Sequence, residues 1–402
     1  MPKLLVDCDA FFASCEQARN PGLRGKKVLV AGDTERRSVV VAASYEARQA
    51  GAKAGMPIQA ARRLVPDGIF IMGDHGFYID CNLKLFRKLR SYRHPVEIYS
   101  VDEFFVDFPG SYEGAEAMAG DFRAWVRSDL GITVSIGIAP TKVYAKLAAE
   151  MQKPDGMTVL RPGDIPAAVQ DLPVGRLFGV GPRTEEFLAG RGVRTIGDLR
   201  QYPPELLEAE LGARGRWLHA AVMGTDDDLV KVVPDPYKSM GNEMTLPADT
   251  DDPRTIRAFL YYLADMVARR LRADGSAART AHLYVRYGDF TGFARSRTMP
   301  RPGFLAEDLL AAAEALLAKH HRDPARKIRL LGLGASNLVR ANGFQLPLFA
   351  GEQKALALAR ALDRIRDAYG QDAIGRASSF AVQNAPHLAT FAIVPGTGRR
   401  PP

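Results

Sequence analysis

Glu97-Ile98-Tyr99-Ser100-Val101-Asp102-Glu103-Phe104-Phe105-Val106-Asp107-Phe108 places two apolar runs on either side of an adjacent pair of carboxylates. Short runs this rich in β-branched and aromatic residues predict strands. Neighbouring side chains of a regular strand point to opposite faces. Asp102 and Glu103 therefore serve one centre only where the chain turns, and a hairpin corner is predicted there. The N-terminal stretch Lys3-Leu4-Leu5-Val6-Asp7-Cys8-Asp9 reads as a second strand ending in acid, with Asp7 and Asp9 on one face. If the two strands are neighbours in one sheet, Asp7, Asp102 and Glu103 meet at one edge. Carboxylates gathered in this way repel one another and lose solvation, so a cation is expected among them. Hard oxygen ligands select Mg²⁺, with Mn²⁺ as a substitute. The chemistry that follows is two-metal phosphoryl transfer. The opposing reading makes these acids solvated residues at strand ends.

The 402 residues suggest two to four domains. A hydrophobic share of 47% and a charged share of 25% are ordinary for a globular chain with a sizeable core. The net charge of +8 suits a polyanionic partner. No run of about 18 apolar residues is present, so no membrane span and no membrane partner are expected. Met1-Pro2-Lys3 leads straight into a strand without a signal-peptide pattern, which points to the cytoplasm. Cys8, Cys15 and Cys81 are odd in number and lack Cys-x-x-Cys spacing, which predicts free thiols and no zinc site.

Residues 10–18 read as the start of a helix whose N-terminal amides would face the acidic edge. Phe11 and Phe12 read there as core aromatics. Residues 28–31 and 39–43 are predicted strands, followed by Ser44-Tyr45-Glu46-Ala47-Arg48. Arg48 could grip a triphosphate in bidentate fashion and Tyr45 could add a hydroxyl. Residues 69–72 read as a strand and 74–92 as a helix, with Phe77, Ile79, Leu83, Leu85, Phe86 and Leu89 partly on one face. Residues 113–130 form a second predicted helix and 133–138 an alternating strand. Strand, long insertion, helix, hairpin, helix, strand is a ferredoxin-like βαββαβ order with its first connection expanded. A helix over residues 141–152 carries Lys142 and Lys146. Lys153-Pro154-Asp155-Gly156 ends it and places Lys153 as a point charge for phosphate.

Gly179-Val180-Gly181 opens a helical segment in which backbone amides can approach a phosphate closely. The helix, turn, helix spacing that follows reads as a helix-hairpin-helix, and no βαβ unit frames the glycines as a dinucleotide site would require. Residues 226–237, with Pro234 and Pro236, read as a linker. Residues 238–341 hold 17 Lys and Arg against 11 Asp and Glu, so six of the eight net charges lie there. Strands are predicted at 281–287, 292–298 and 328–335, and helices at 253–273 and 305–320. Arg279, Arg286, Arg295 and Arg297 on or beside these strands suit a sheet face lying on a phosphate backbone. The tail holds Gln345-Leu346-Pro347-Leu348-Phe349 and then a helix with Leu358, Leu362, Ile365 and Tyr369 at helical spacing. Residues 396–402 read as disordered.

Taken together, Val6-Asp7-Cys8-Asp9 with Phe11-Phe12, Ser44 to Arg48, Ser100-Val101-Asp102-Glu103, Gly137-Ile138 followed by Lys142 and Lys146, Lys153 to Gly156, and Gly179 to Gly181 resemble the Y-family translesion DNA polymerases of the polymerase IV type. Order and spacing match from residue 1 to about 342. The resemblance implies an α+β right hand. Its parts would be a palm at 1–10 and 73–162, fingers at 11–72, a thumb at 163–228, a linker at 229–237, a little finger at 238–341 and a tail at 342–402. It further implies that Asp7, Asp102 and Glu103 hold two Mg²⁺ with the backbone carbonyl of Cys8. Tyr45, Arg48 and Lys153 would hold the incoming dNTP, and Phe12, beside Phe11, would be the gate against a ribose 2′-hydroxyl. Primer–template DNA would lie on the helix-hairpin-helix glycines and the arginines. Gln345, Leu346, Leu348 and Phe349 are similar to a bacterial sliding-clamp-binding motif, and a nucleoid-associated place in the cytoplasm follows. Many relatives carry Thr three positions before the motif tyrosine. Here that position is Ala42, which leaves one phosphate contact without its hydroxyl. A nucleotidyl cyclase also sets carboxylates on such a palm, but it has no duplex to hold with a basic domain. A non-catalytic DNA-binding scaffold would have no use for the acid triplet.

Overall fold

The computed structural model describes residues 1–32, 37–226, 229–340, 350–370, 373–377 and 382. The chain divides into two compact units, one built almost entirely from residues before Asp235 and one from the residues after Pro234.

In the first unit the sheet runs in the order Val96–Ile98, Glu103–Asp107, Lys3–Cys8, Val134–Ala139, Met157–Val159. The first four strands pair antiparallel and the last is parallel to its neighbour. Helices His75–Ser91 and Tyr112–Trp125 occupy the two crossover positions, which is the ferredoxin-like order read from the sequence. The second of these helices continues as a π-helical turn, Val126–Leu130. The expanded first connection carries its own sheet, Val40–Ala43, Val28–Ala31, Ile69–Met72.

The central strand is buried from Leu4 to Cys8, as expected of a strand covered on both faces. Alternation divides its neighbours between two cores. Leu4, Val6, Phe104, Val106, Ile136 and Ile138 pack with the two crossover helices. Leu5 and Phe105 face the other way, onto helix Lys142–Met151. Gly137 lies under that helix, and a Cβ there would stand 1.9 Å from the carbonyl oxygen of Ala145. Close approach of helix to strand therefore requires the glycine.

Helix His75–Ser91 buries Leu85 and Leu89 of the expected face together with Tyr78, Cys81 and Asn82, while Phe77, Ile79, Leu83 and Phe86 are only half-buried. The buried face contains two polar residues that hydrogen bonding makes tolerable there. Tyr78 donates to Glu16 Oε1 at 2.8 Å, and Asn82 Nδ2 donates to the Val101 carbonyl at 2.7 Å. Short helices follow from Ile165–Val169 to Ala213–Met223. Among them, Pro182–Ala189 and Ile196–Gln201 form the expected hairpin.

In the second unit the sheet order is Gly292–Gly303, Ser276–Tyr287, Ile328–Arg340, Ser239–Thr250. Helices Pro253–Asp274 and Ala306–His320 share one core with it. Strand Ser239–Thr250 was not anticipated. It is polar, contains Pro247 and lies at the sheet edge, where one side of its backbone needs no partner strand.

The tail helix Ala350–Tyr369 forms as predicted. Two of its charged side chains, Asp363 and Arg366, are turned inward, while Lys354, Arg360, Arg364 and Asp367 are exposed. Asp363 pairs with Arg272 at 2.7 Å, and Arg366, itself buried, pairs with Asp265 at 2.6 Å. Leu358 and Tyr369 are left 53% and 79% exposed. Long arginine stems cover apolar surface while their heads are satisfied by the acids, so charge pairing positions this helix where apolar spacing alone would not. The clamp-like residues Gln345 to Phe349 and residues 396–402 lie outside the described residues.

Candidate active site

The register sets Asp7 directly opposite Glu103 on adjacent antiparallel strands, so their side chains share a face. Asp102 ends the corner just before Glu103. The Cys8 amide donates to the Asp102 carbonyl at 3.0 Å, and the amides of Tyr99 and Ser100 close the turn on the Glu103 carbonyl. The corner is thus tied to the first strand on one side and to Asn82 on the other.

Burial raises the Asp7 carboxyl to about 7, with Lys153 opposing the rise and Glu103 and Asp102 adding to it. Burial raises Asp102 as well, against the hydrogen bond from Ser100. Lys153 Nζ stands 2.6 Å from Asp7 Oδ1, and Lys146 Nζ 2.6 Å from Glu103 Oε1. Burial alone would depress Lys146, yet Glu103 outweighs it and holds its pKa above the ordinary value. Among the described residues no three acidic, histidine or cysteine side chains close around one point as they stand. Asp7 is turned to Lys153, Glu103 to Lys146, and Asp102 accepts from Ser100 Oγ at 2.5 Å. The donor set still fits a hard divalent cation. It consists of the buried Asp7 and the half-buried Asp102 and Glu103, with lysine ammonium groups on two of them. The Cys8 side chain belongs to the core, and burial with the neighbouring charges raises its thiol well above the usual range, leaving only its backbone for a hard cation.

Phe12 and Phe11 are both buried. Phe12 stacks on Tyr78 with ring centroids 4.4 Å apart and an interplanar angle of 15°. Their helix, Phe11–Arg19, begins after Ala10 without a side-chain cap. Tyr45 opens helix Tyr45–Gln49 after the cap residue Ser44. Its hydroxyl is 3.5 Å from Asp9 Oδ1. The Arg48 guanidinium lies 4.9 Å over the Tyr45 ring, and its Nε donates to the Ala43 carbonyl at 2.9 Å. Lys142, one of the motif lysines, is buried away from this edge in a 2.8 Å pair with Glu97.

Gly179 has φ of +92°, and a Cβ there would stand 2.4 Å from the Trp217 ring. Gly181 caps helix Pro182–Ala189. In the second unit the four arginines are exposed, but they do not share one face. Arg295 and Arg297 lie opposite Leu283 and Ala281, which belong to the core on the helix side. Arg286 lies on the other side with Tyr284, and Arg279 sits at a register shift between Ala278 and Thr280. Sequence reasoning passed over Asp9, Asn82 and the Tyr78–Glu16 pair as parts of the site. Only Asp9 left a signal, its two-residue spacing from Asp7.

A ferredoxin-like sheet with acids gathered where its central strands end, followed by a helix-hairpin-helix and a separate basic unit, defines the fold class as that of a right-hand polymerase. Residues 6–150 match the impB/mucB/samB family and residues 237–348 match the C-terminal domain of the same family. The chain is 41% identical over 386 residues to the DNA polymerase IV of Moorella thermoacetica, covering 94% of this chain and 95% of that protein. It is 38% identical over 387 residues to the DNA polymerase IV of Pelotomaculum thermopropionicum, covering 94% and 95%. A solved Y-family DNA polymerase chimera superposes with a TM-score of 0.75 at 25% identity, covering 85% of this chain and 100% of that one. The chain belongs to this family and is a Y-family, DNA-directed DNA polymerase. Metal dependence is general to the family. Among the described residues no helix is long and apolar enough to cross a membrane.

Proposed function

We propose that this polymerase performs translesion synthesis by extending a primer 3′ end on damaged templates, with two Mg²⁺ held by Asp7, Asp102, Glu103 and the Cys8 carbonyl. Such a pair of ions would activate the attacking 3′-oxygen and stabilise the leaving pyrophosphate. Lys153, Tyr45 and Arg48 hold the triphosphate of the dNTP, with Lys153 and Arg48 supplying charge and Tyr45 a hydroxyl. Lys146 balances the charge of Glu103. The observation that carries this reading is the direct pairing of Asp7 with Glu103, each bearing a lysine at 2.6 Å. The palm, fingers, thumb and little finger take the boundaries set out from the sequence. Gly179 and Gly181 present backbone amides to primer–template DNA, and Arg279, Arg286, Arg295 and Arg297 neutralise its phosphates. The Gln345 to Phe349 segment tethers the enzyme to a sliding clamp near the nucleoid.

Phe12 acts as the gate to the sugar, and its backing by Tyr78 supports that role, because a ring packed against another yields little to a 2′-hydroxyl. The test is single-nucleotide insertion of dCTP and CTP opposite template dG. Phe12→Ala should raise CTP insertion strongly while keeping substantial dCTP insertion, and Phe11→Ala should leave the sugar preference alone. An unchanged preference in Phe12→Ala reduces Phe12 to a core aromatic.

A further inference from the structure

Asp9 is 1% exposed and lies two residues beyond Asp7, in none of the roles assigned above. Its carboxylate is an acceptor for groups from three separate segments. Oδ2 accepts from Thr133 Oγ1 and from the backbone N–H of Asp155, each at 2.8 Å, and Oδ1 accepts from Ser135 Oγ at 2.8 Å. The Tyr45 hydroxyl reaches the same Oδ1 at 3.5 Å.

The Asp155 amide belongs to the turn that carries Lys153. Asp155 itself has φ of +56°, in the left-handed region that a residue other than glycine enters at a cost. The turn is held from outside as well. Arg123 Nη2 donates to Asp155 Oδ1 at 3.1 Å, and Arg127 pairs with the other carboxylate oxygen. Gly156 accepts from the Ile136 amide at 3.0 Å and donates to Ser135 Oγ at 3.4 Å. The inner anchor of this turn is Asp9, and its outcome is the Lys153 ammonium at 2.6 Å from Asp7.

We propose that Asp9 is the positioning residue of Lys153: by holding the Asp155 amide it fixes the turn that aims the ammonium at the triphosphate. A lysine stem has four rotatable bonds, so the place of its charge depends on how firmly its backbone is held. A charge displaced by about 1 Å costs roughly a hundredfold in a well-oriented site. Carboxylate chemistry suits the task, because an ionised carboxylate only accepts and the Asp155 amide can only donate. Asparagine can still serve that amide with its oxygen and turn its NH₂ to a hydroxyl, which can rotate to accept. The inference rests on the reading of Lys153 as a triphosphate ligand.

The test is transient single-nucleotide insertion on primer–template DNA with Mg²⁺, normalised to active sites by burst titration. The proteins are wild type, Asp9→Ala, Asp9→Asn, Lys153→Ala and the double variant Asp9→Ala/Lys153→Ala. Asp9→Ala should lower insertion efficiency about ten- to a hundredfold, chiefly through weaker dNTP binding, with primer–template affinity unchanged. Asp9→Asn should recover most of that loss. On the Lys153→Ala background, Asp9→Ala should add less than about threefold, because residues acting as one unit are not additive. Insertion per active site unchanged in Asp9→Ala, or losses that multiply in the double variant, overturns the inference. Wild-type insertion by Lys153→Ala removes the triphosphate role of Lys153 and the inference with it. A loss in Lys153→Ala but none in Asp9→Ala removes the inference alone. If Asp9→Ala does not fold, the same cycle with Asp9→Asn decides, since its smaller loss must likewise vanish on the Lys153→Ala background.

Discussion

In the first unit the sheet centred on Lys3–Cys8 has helices over both faces, whereas in the second unit the sheet containing Ser276–Tyr287 has its helices over one. Each is a mainly antiparallel sheet, and each carries charged groups. The palm puts them at strand ends, because both faces are core. Asp7 is therefore buried and Asp102 and Glu103 half-buried, and each is answered by a particular neighbour. Among the described residues the second sheet leaves strand faces and an edge open, and its arginines are exposed and spread along the strands. Burial makes charge specific and costly, while exposure makes it cheap and additive. The two regions should accordingly fail in different ways.

The largest effect should come from the palm. Asp102→Ala or Glu103→Ala should lower primer extension roughly a thousandfold or more, with primer–template affinity largely retained. Near-normal extension by both variants would break the contrast, because these acids would then be dispensable. In the second unit the loss should be graded. Arg286→Ala should reduce the slope of log affinity against log salt by about one, and Arg295→Ala with Arg297→Ala by about two, without altering sequence preference. Those side chains lie on opposite sides of the sheet, so a slope that moves for only one set identifies the side turned to DNA. A flat salt dependence in the wild type would remove the comparison altogether.

The smallest effect should be on stability. The Asp7 carboxyl lies at about 7 in the folded protein against 3.8 ordinarily. From about pH 4 to about pH 7 the native state thus holds a proton that the unfolded chain has released. The stability this contributes is complete below about pH 4 and is lost as pH rises through about 7. Asp7→Asn has no charge to bury, so in the absence of Mg²⁺ it should raise Tm by a few degrees near pH 8 and leave it unchanged near pH 4. An equal shift at both pH values would show that the effect is packing and not charge.

Much of the palm could be read in advance. The two apolar runs around Asp102-Glu103 and the acid-ended first strand pointed to the meeting of Asp7 with Glu103 on the condition that their strands are neighbours, which the register meets. Strand Ser239–Thr250 was illegible because an edge strand with Pro247 has little apolar pattern to show. On helix His75–Ser91 the apolar spacing shows Leu85 and Leu89, but not Tyr78 and Asn82, which count as polar until their partners are known.

The amino-acid sequence by itself determined the ferredoxin-like order, the acid triplet, the helix-hairpin-helix and the concentration of positive charge after residue 238. These depend on period, residue type and short spacing, which are local properties of a chain. Only the tertiary structure decided that Lys146 and Lys153 answer Glu103 and Asp7, and that Asp9 holds the Lys153 turn. It alone turned Asp363 and Arg366 of the tail helix inward and set Arg286 and the pair Arg295 and Arg297 on different sides of a sheet. A hydrogen bond or ion pair depends on which distant segments the fold brings within 3 Å or so of one another, and spacing along the chain does not carry that information.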